Sequence, residues 1–415
     1  MSGLALVARA LGAQVTGSDR APDSPYLRSA GIVAAAGHDA AHVPDGAEIV
    51  VSSAIPQDNP ERAAGRERGL RELHRAELLG EITRLRPTIA VTGTHGKTTT
   101  SSMVVHALRG CGLDPGYLVG GEVRSTGSNA GWGTGEWLVV EADESDRSLL
   151  KLAPRIAVLT NAELDHHATY ASQRDVDDTF RAFLDMAEEV VLGDEPDLER
   201  FRGSVARPEH VELEPGGSRF SVAGVAVTLP VPGAHNARNA ATAVAACTLA
   251  GADPERVAAA LADFGGAGRR FERVGTTPSG AAVVDDYAHH PTEVRATIAA
   301  ARTLGPRRLV AAFQPHLFSR TRHQAREFGA ALALADLVVV LDVYPARERA
   351  EDFPGVTGRL VAAAAADSAG GRRVAWLPGF DEAERFLRAE LHEGDLLLTL
   401  GAGDVDALGR RLTGV

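Results

Sequence analysis

From Thr88 to Gly112 the chain reads TIAVTGTHGKTTTSSMVVHALRGCG, a short β-branched and apolar run that breaks into a glycine turn and then into a helical pattern. Met103, Val104, Ala107, Leu108 and Cys111 recur on one side of that helix. A strand delivered through a tight glycine turn into a helix belongs to a parallel sheet with crossover helices. The same geometry cradles phosphate: N–H groups of the turn and helix start face an anion, Lys97 adds charge, and the Thr98 hydroxyl can hold magnesium. ATP and Mg2+ are therefore the expected cofactors, with Gly93, Thr94, His95, Gly96, Lys97, Thr98 and Thr99 around the phosphates. The general G-x-x-x-x-G-K pattern is not matched literally. Its first glycine would fall at Val91, and Gly93 stands two places later.

Short apolar runs alternate with helical patterns along all 415 residues, so the class is α/β, with two or three domains. After a helix from about Ser2, strands are expected at Ala13–Thr16 and Glu48–Val51, then a break near Arg86–Pro87. A second unit has strands at Thr88–Thr92, Trp137–Val140 and Ile156–Leu159, with a glycine-rich loop at Gly120–Gly135. After the linker FGGAGRRFE (Phe264–Glu272), strands at Ala281–Val284, Leu309–Phe313, Leu337–Leu341, Arg373–Trp376 and Leu396–Leu400 make a second doubly wound pattern. The alanine run Ala362–Ala366 is helix. The resulting division is 1–87, a Rossmann-like domain, 88–268, a central ATP-binding domain with a phosphate-loop parallel sheet, and 269–415, another Rossmann-like domain.

A formal charge of −12 argues against a nucleic-acid partner, and no apolar run is long enough to span a bilayer. Cys111 and Cys247 sit in alanine-rich helical segments and are expected to be core thiols, which suits a reducing cytoplasm. All 43 basic residues except Lys97 and Lys151 are arginines, so a lysine in the glycine turn agrees with a compact ammonium acting on phosphate.

Other polar clusters fall at strand ends. Glu141 closes the strand of WLVVEADESD, where a carboxylate can reach a metal on the phosphate loop. Asp143, Glu144 and Asp146 each suit a solvated acidic turn. Asn161, Glu163, Asp165 and His166 follow the strand IAVLT; a zinc site from His166 and the adjacent His167 is not expected. GAHNARNAA places His235, Asn236 and Asn239 at a helix start, where capping accounts for one asparagine. VVDDYAHHPTEV places Asp285, Asp286, Tyr287, His289 and His290 between a strand and a helix.

GTHGKTT, G-x-H-N-x-x-N and GRRFE together resemble the Mur ligase family, as does the shared pattern over essentially the whole chain. DDYAHHPTE, FQPHLFSRT (Phe313–Thr321), YPARE (Tyr344–Glu348) and LGAGD (Leu400–Asp404) are similar to the branch that joins L-alanine to UDP-N-acetylmuramate. The resemblance implies magnesium on Thr98, Glu141 and His166, and adenine against His235, Asn236 and Asn239. Arg270 would reach the nucleotide phosphates and Asp286 its ribose, while Arg269 reads as a plain surface residue. Tyr287, His289, His316 and Arg320 would surround the alanine. Lys97, Glu141, His166, His289 and Arg320 are the expected catalytic set, and Ser2, Gly3, Asp19, His38, Ser52, Ser53 and Asn129 the expected contacts to the UDP-sugar.

Leu317 departs from the pattern, standing where many members carry arginine. The family also begins with a strand and the loop G-I-G-G-x-G-M-S-G-x-A, whereas this chain starts at Met-Ser-Gly-Leu-Ala, so the first strand of the first sheet is expected to be missing. A monomer or weak homodimer is expected. The peptide-recycling branch shares the resemblance more weakly; an inactive truncated nucleotide-binding paralogue and a phosphate-loop ATPase switch would explain the loop alone.

Overall fold

The structure, a computed structural model, describes residues 1–166 and 169–414. They form two compact units, one of Met1–Asp165, Ser172–Arg207 and Ala241–Ala260, the other of His166–Ala171, Pro208–Ala240 and Leu261–Val415. The class is α/β, as the alternation of runs predicts.

The first unit is built on a seven-stranded sheet in the spatial order Ser204–Val205, Glu189–Leu192, Ile156–Leu159, Thr88–Thr92, Leu138–Glu141, Gly116–Val123, Ser128–Gly131. All pairs but the last are parallel. The central run Thr88–Thr92 is buried at every residue, as a parallel strand covered on both faces must be, and so carries no alternation. Its N-terminal part holds two separate parallel pairs, Gly17–Asp19 with Ala34–Ala36 and Ile49–Val51 with Glu72–His74. Ala13–Thr16 is thus corrected: the strand begins at Gly17, because pairing with Ala34 rather than local apolarity sets its position.

The stretch Gly120–Gly135 is also corrected. It contains the antiparallel turn-back from Gly116–Val123 to Ser128–Gly131, with Tyr117 opposite Gly131 and Leu118 opposite Ala130. Gly120 and Gly131 are there for close approach, not looseness. A Cβ on Gly131 would lie 2.8 Å from the Tyr117 ring, and one on Gly120 would lie 2.7 Å from the Glu141 carboxylate.

The second unit carries a six-stranded sheet ordered Glu272–Thr276, Ala282–Asp286, Asp395–Leu400, Arg308–Phe313, Leu337–Val340, Arg373–Trp376, antiparallel only at its first pair. Alternate residues feed two cores. Val284, Ala311, Phe313, Val338 and Leu398 pack on one face, and Val283, Val310, Ala312, Val339 and Leu397 on the other. This period-2 division is what a strand between two helical layers requires. A three-stranded antiparallel sheet over residues 209–229 was not anticipated; its first strand, Glu209–Glu214, is exposed, whereas Phe220, Val222, Val227 and Leu229 of the other two are buried.

The alanine run forms the helix Gly358–Ser368, which packs on Phe318–Leu332. Small side chains let the two backbones approach closely: a Cβ on Gly329 would lie 2.4 Å from the Ala364 carbonyl carbon. Neither backbone can yield without disturbing the sheet beneath it. Gly329→Ala is expected to cost about 1–3 kcal/mol of stability, the usual scale of overpacking, as measured by chemical denaturation.

Candidate functional site

In the first unit, the loop between Thr92 and Lys97 is held by its neighbours. Gly93 has φ +134°, and a Cβ there would lie 2.1 Å from Thr160 Oγ1, so only glycine fits on both counts. The His95 N–H donates to Asn161 Oδ1 at 2.8 Å, and Thr94 Oγ1 donates to the Glu163 carbonyl at 3.0 Å. Gly96, in the left-handed region at φ +79°, starts the helix Lys97–Gly110, and no side chain caps it. The first-turn N–H groups of such a helix have no intrahelical acceptor, which suits them to an anion.

The Lys97 ammonium donates to the carbonyls of Gly93 (2.6 Å) and Thr94 (3.1 Å) and pairs with Glu144 at 2.9 Å. Burial works against its charge, but Glu144, Asp143 and Glu141 outweigh that and raise its pKa above the ordinary lysine value. Asp143 is also costly to bury, yet Lys97 and the Ser145 N–H hold its carboxyl below the usual range. The expected solvated turn is therefore corrected at Glu144, which is 2% exposed. No local pattern signals this, because the lysine that compensates the charge lies 47 positions away. The Glu141 carboxylate accepts from Thr98 Oγ1 at 3.1 Å and from the Gly120 N–H at 2.7 Å. Hard oxygen donors of this kind suit magnesium, and an uncapped helix start with an adjacent ammonium suits a polyphosphate, so the residues fit both groups.

The expected UDP-sugar contacts in this unit fall into separate groups. Gly3 lies against Asn129, whose Nδ2 would be 3.6 Å from a Cβ on the glycine, while Ser2 precedes Gly3 at the start of the helix Ser2–Ala10. Asp19 accepts from the Ala21 N–H (2.9 Å), and its charge acts on the amino group of Met1. His38 Nδ1 lies 3.1 Å from Ser18 Oγ. Ser53 Oγ lies 3.0 Å from His74 Nε2, and the neighbouring Ser52 is half-buried.

In the second unit, the linker backbone is strained where it meets the sheet. Arg269 and Phe271 have φ of +56° and +49°. This conformation aims the Phe271 N–H at Asp286 Oδ2 (2.8 Å), whose other oxygen accepts from the Ala288 N–H at 2.8 Å. Burial pushes the Asp286 carboxyl up to about 6 against the pull of Arg270. Arg269 is corrected from a plain surface residue. It pairs with the buried Asp285 at 3.0 Å, donates to the carbonyls of Gly401 and Gly403 (both 3.0 Å), and lies over the Tyr287 ring. Arg270 also lies over that ring and pairs with Glu293 at 3.4 Å.

The rings of Tyr287, His289, His316 and Tyr344 follow one another, with centroids 5.3, 6.0 and 5.7 Å apart. The Tyr287 carbonyl sits 3.0 Å from His289 Nδ1, and since a carbonyl only accepts, that nitrogen carries the proton. Arg320, 3% exposed, lies 3.3 Å from His316 Nδ1. Thus Tyr287, His289, His316 and Arg320 are brought together. Leu317 takes a left-handed φ of +70° and is buried before the helix Phe318–Leu332. The missed member is Glu293, which accepts from the N–H groups of His289 and His290 at 3.0 and 3.2 Å. Its signal was present: His290, Pro291 and Glu293 spell a capping box.

His235, Asn236 and Asn239 lie in the first turns of the helix Ala234–Leu249, where Asn236 Nδ2 donates to the Pro232 carbonyl at 2.8 Å. The His235 ring packs on Gly233, and burial, then Arg238, hold its pKa down to about 4. His166 has φ +53° and its carbonyl accepts from Thr169 and Tyr170. His167 lies outside the described residues. Cys111 and Cys247 are both buried thiols, as expected. No helix among the described residues is long and apolar enough to cross a membrane.

Three family models match successive segments: "Mur ligase family, catalytic domain" at 1–86, "Mur ligase middle domain" at 91–247 and "Mur ligase, glutamate ligase domain" at 269–403. A UDP-N-acetylmuramate–L-alanine ligase of Acidithiobacillus ferrooxidans is 44% identical, with 98% of this chain and 94% of the relative covered. Its counterpart from Kineococcus radiotolerans is 47% identical, over 99% and 92%. Among solved structures, the UDP-N-acetylmuramate-alanine ligase of Thermotoga maritima superposes with a TM-score of 0.84 at 29% identity, covering 100% of this chain and 96% of that one. A murein peptide ligase of Psychrobacter arcticus gives 0.71 at 25% identity, over 99% and 95%.

The depressed His235 pKa carries a stability consequence. The unfolded imidazole, near 6.5, takes up a proton that the folded one refuses until about 4, so its contribution is present above pH 6.5 and is lost as pH falls toward 4. Urea midpoints of His235→Asn should therefore change less between pH 7 and pH 4.5 than those of the unsubstituted protein.

Proposed function

The chain belongs to the Mur ligase family, and from that premise we propose that it uses ATP to join L-alanine to the carboxylate of UDP-N-acetylmuramate. The products are UDP-N-acetylmuramoyl-L-alanine, ADP and phosphate, in peptidoglycan precursor synthesis. The observation that carries this is whole-length similarity to alanine ligases, at 44% and 47% identity, in a chain holding both a phosphate loop and a clustered Tyr-His-His-Arg set. Segments 1–87, 88–268 and 269–415 are taken as the UDP-sugar, ATP and amino-acid parts, and the cytoplasm, where nucleotide precursors are made, as the compartment. The protein acts as a monomer or weak homodimer.

In the proposed chemistry a carboxylate oxygen of the sugar attacks the γ-phosphorus and ADP leaves, giving an acyl phosphate. The alanine amine then attacks the acyl carbon, phosphate departs, and the amine loses its proton. Lys97 and the N–H groups of the helix start oppose the charge that builds on the transferred group. Thr98 and Glu141 would hold magnesium, to which family resemblance adds His166, and the ion would supply further positive charge there. His235, Asn236, Asn239, Arg270 and Asp286 are assigned to the nucleotide. Arg320 offers its guanidinium to the alanine carboxylate, a planar pairing that lysine could not reproduce. His289, His316 and Tyr287 flank it. Ser2, Gly3, Asp19, His38, Ser52, Ser53 and Asn129 are assigned to the UDP-sugar.

Phosphate release from ATP should require both UDP-N-acetylmuramate and L-alanine. Release without alanine would point to an ATPase, preference for a peptide over alanine would point to the peptide-recycling branch, and no release would overturn the reading. Lys97→Ala should lower kcat by about a thousandfold or more, the scale of losing a charge aimed at the transition state. Arg320→Ala should instead raise the KM for alanine by at least about tenfold, both measured by coupled phosphate assay.

A further inference from the structure

The turn Asp143–Asp146 is held at two ends. At one, Glu144, 2% exposed, takes the Lys97 ammonium at 2.9 Å. At the other, Arg75 donates to Asp146 Oδ2 at 2.8 Å and to Asp143 Oδ2 at 3.3 Å. Arg75 is the first residue of the helix Arg75–Ile82, whose start is fixed by the His74 and Glu77 capping box, so its guanidinium springs from a well-defined origin. The turn is braced internally as well. The Ser145 N–H donates to Asp143 Oδ1 (2.9 Å), the Ser148 N–H to Asp146 Oδ1 (3.0 Å), and the Arg147 N–H to the Glu144 carbonyl (3.0 Å).

We propose that Glu144 and Arg75 are positioning residues for the phosphate-loop lysine: Glu144 holds the ammonium over the loop, and Arg75 holds the turn that carries Glu144. The inference deepens the assignment of Lys97 to ATP and rests on it. A lysine has four rotatable side-chain bonds, and an unheld ammonium would lose its aim over the loop in each catalytic cycle. The carbonyls of Gly93 and Thr94 supply two acceptors, and Glu144, 2% exposed, supplies a countercharge from just beyond the end of the neighbouring parallel strand Leu138–Glu141. Arg75 comes from the N-terminal segment, and its neighbour His74 meets Ser53, an assigned UDP-sugar contact, at 3.0 Å. The same turn thus touches the sugar-nucleotide segment at one end and the ATP loop at the other.

The chain has only two lysines, which makes the inference directly measurable. Limiting acetic anhydride on the protein without nucleotide, followed by mass spectrometry, reports acetylation of Lys97 against the exposed Lys151 as internal standard. Glu144→Gln should raise the Lys97 to Lys151 ratio by about fivefold or more, the scale of one charge-assisted hydrogen bond. Arg75→Ala should raise it by a smaller factor, and Arg75→Lys should return it toward the parent value. The double variant should equal Glu144→Gln alone, because both changes act through the same group. In the phosphate assay Glu144→Gln should lower kcat about tenfold with the ATP KM changed less than about threefold, since an interaction used in the transition state is lost. An unchanged labelling ratio in Glu144→Gln, or independent multiplying effects of the two substitutions, would overturn the proposal. Absence of phosphate release in the parent protein would count against the proposed reaction, while the labelling ratio still decides the positioning role.

Discussion

Parallel pairing of Val91 with Glu141 and of Thr92 with Leu159 brings three strand ends to one edge of the seven-stranded sheet. The polar groups of the loop site hang from that register. Glu141 reaches Thr98 and Gly120, Asn161 reaches the His95 backbone, and Glu144 reaches Lys97. A slip of one residue would turn Glu141 to the opposite face, and the hydroxyl and the ammonium would lose their partners together. The register is secured by apolar burial, since Ile89, Ala90, Val91, Val139, Val140, Ala157 and Val158 are all fully buried.

The second unit meets a similar demand by other means. Its sheet ends in two adjacent aspartates that are costly to bury, and each is compensated differently. Asp285 takes the Arg269 guanidinium and the Thr399 hydroxyl. Asp286 takes two backbone N–H groups, one presented only because Phe271 adopts a left-handed conformation. Backbone strain of this kind persists where surrounding contacts over-determine it, and here they do. Arg269 ties the linker to the loop Gly401–Gly403 while its carbonyl accepts from the Tyr287 N–H at 2.8 Å.

Much of this was legible along the chain. Thr88–Thr92 and Ile156–Leu159 coincide with the strands expected of them, because buried parallel strands are written as continuous apolar runs, and Arg373–Trp376, a partly exposed edge strand, coincides as well. The grouping of Tyr287, His289, His316 and Arg320 was also anticipated, through family resemblance. Less legible were the strands in Gly120–Gly135, where glycine reads as a loop although it serves close packing, and the antiparallel sheet over 209–229, whose first strand is exposed and whose runs are broken at the turns by Gly216 and Gly224. Glu144 and Arg269 escaped for a shared reason. A charge reads as solvated until the distant partner that buries it is known.

The sequence by itself determined the α/β class, the phosphate loop and the residue types able to do the chemistry, because these depend on local periodicity and on turn residues close in the chain. Only the tertiary structure decided which carboxylate holds Lys97, which oxygen accepts from Thr98, and that Arg269 is anchored rather than free. Those outcomes depend on strand register and on desolvation shared by groups dozens of residues apart, and no local pattern encodes either.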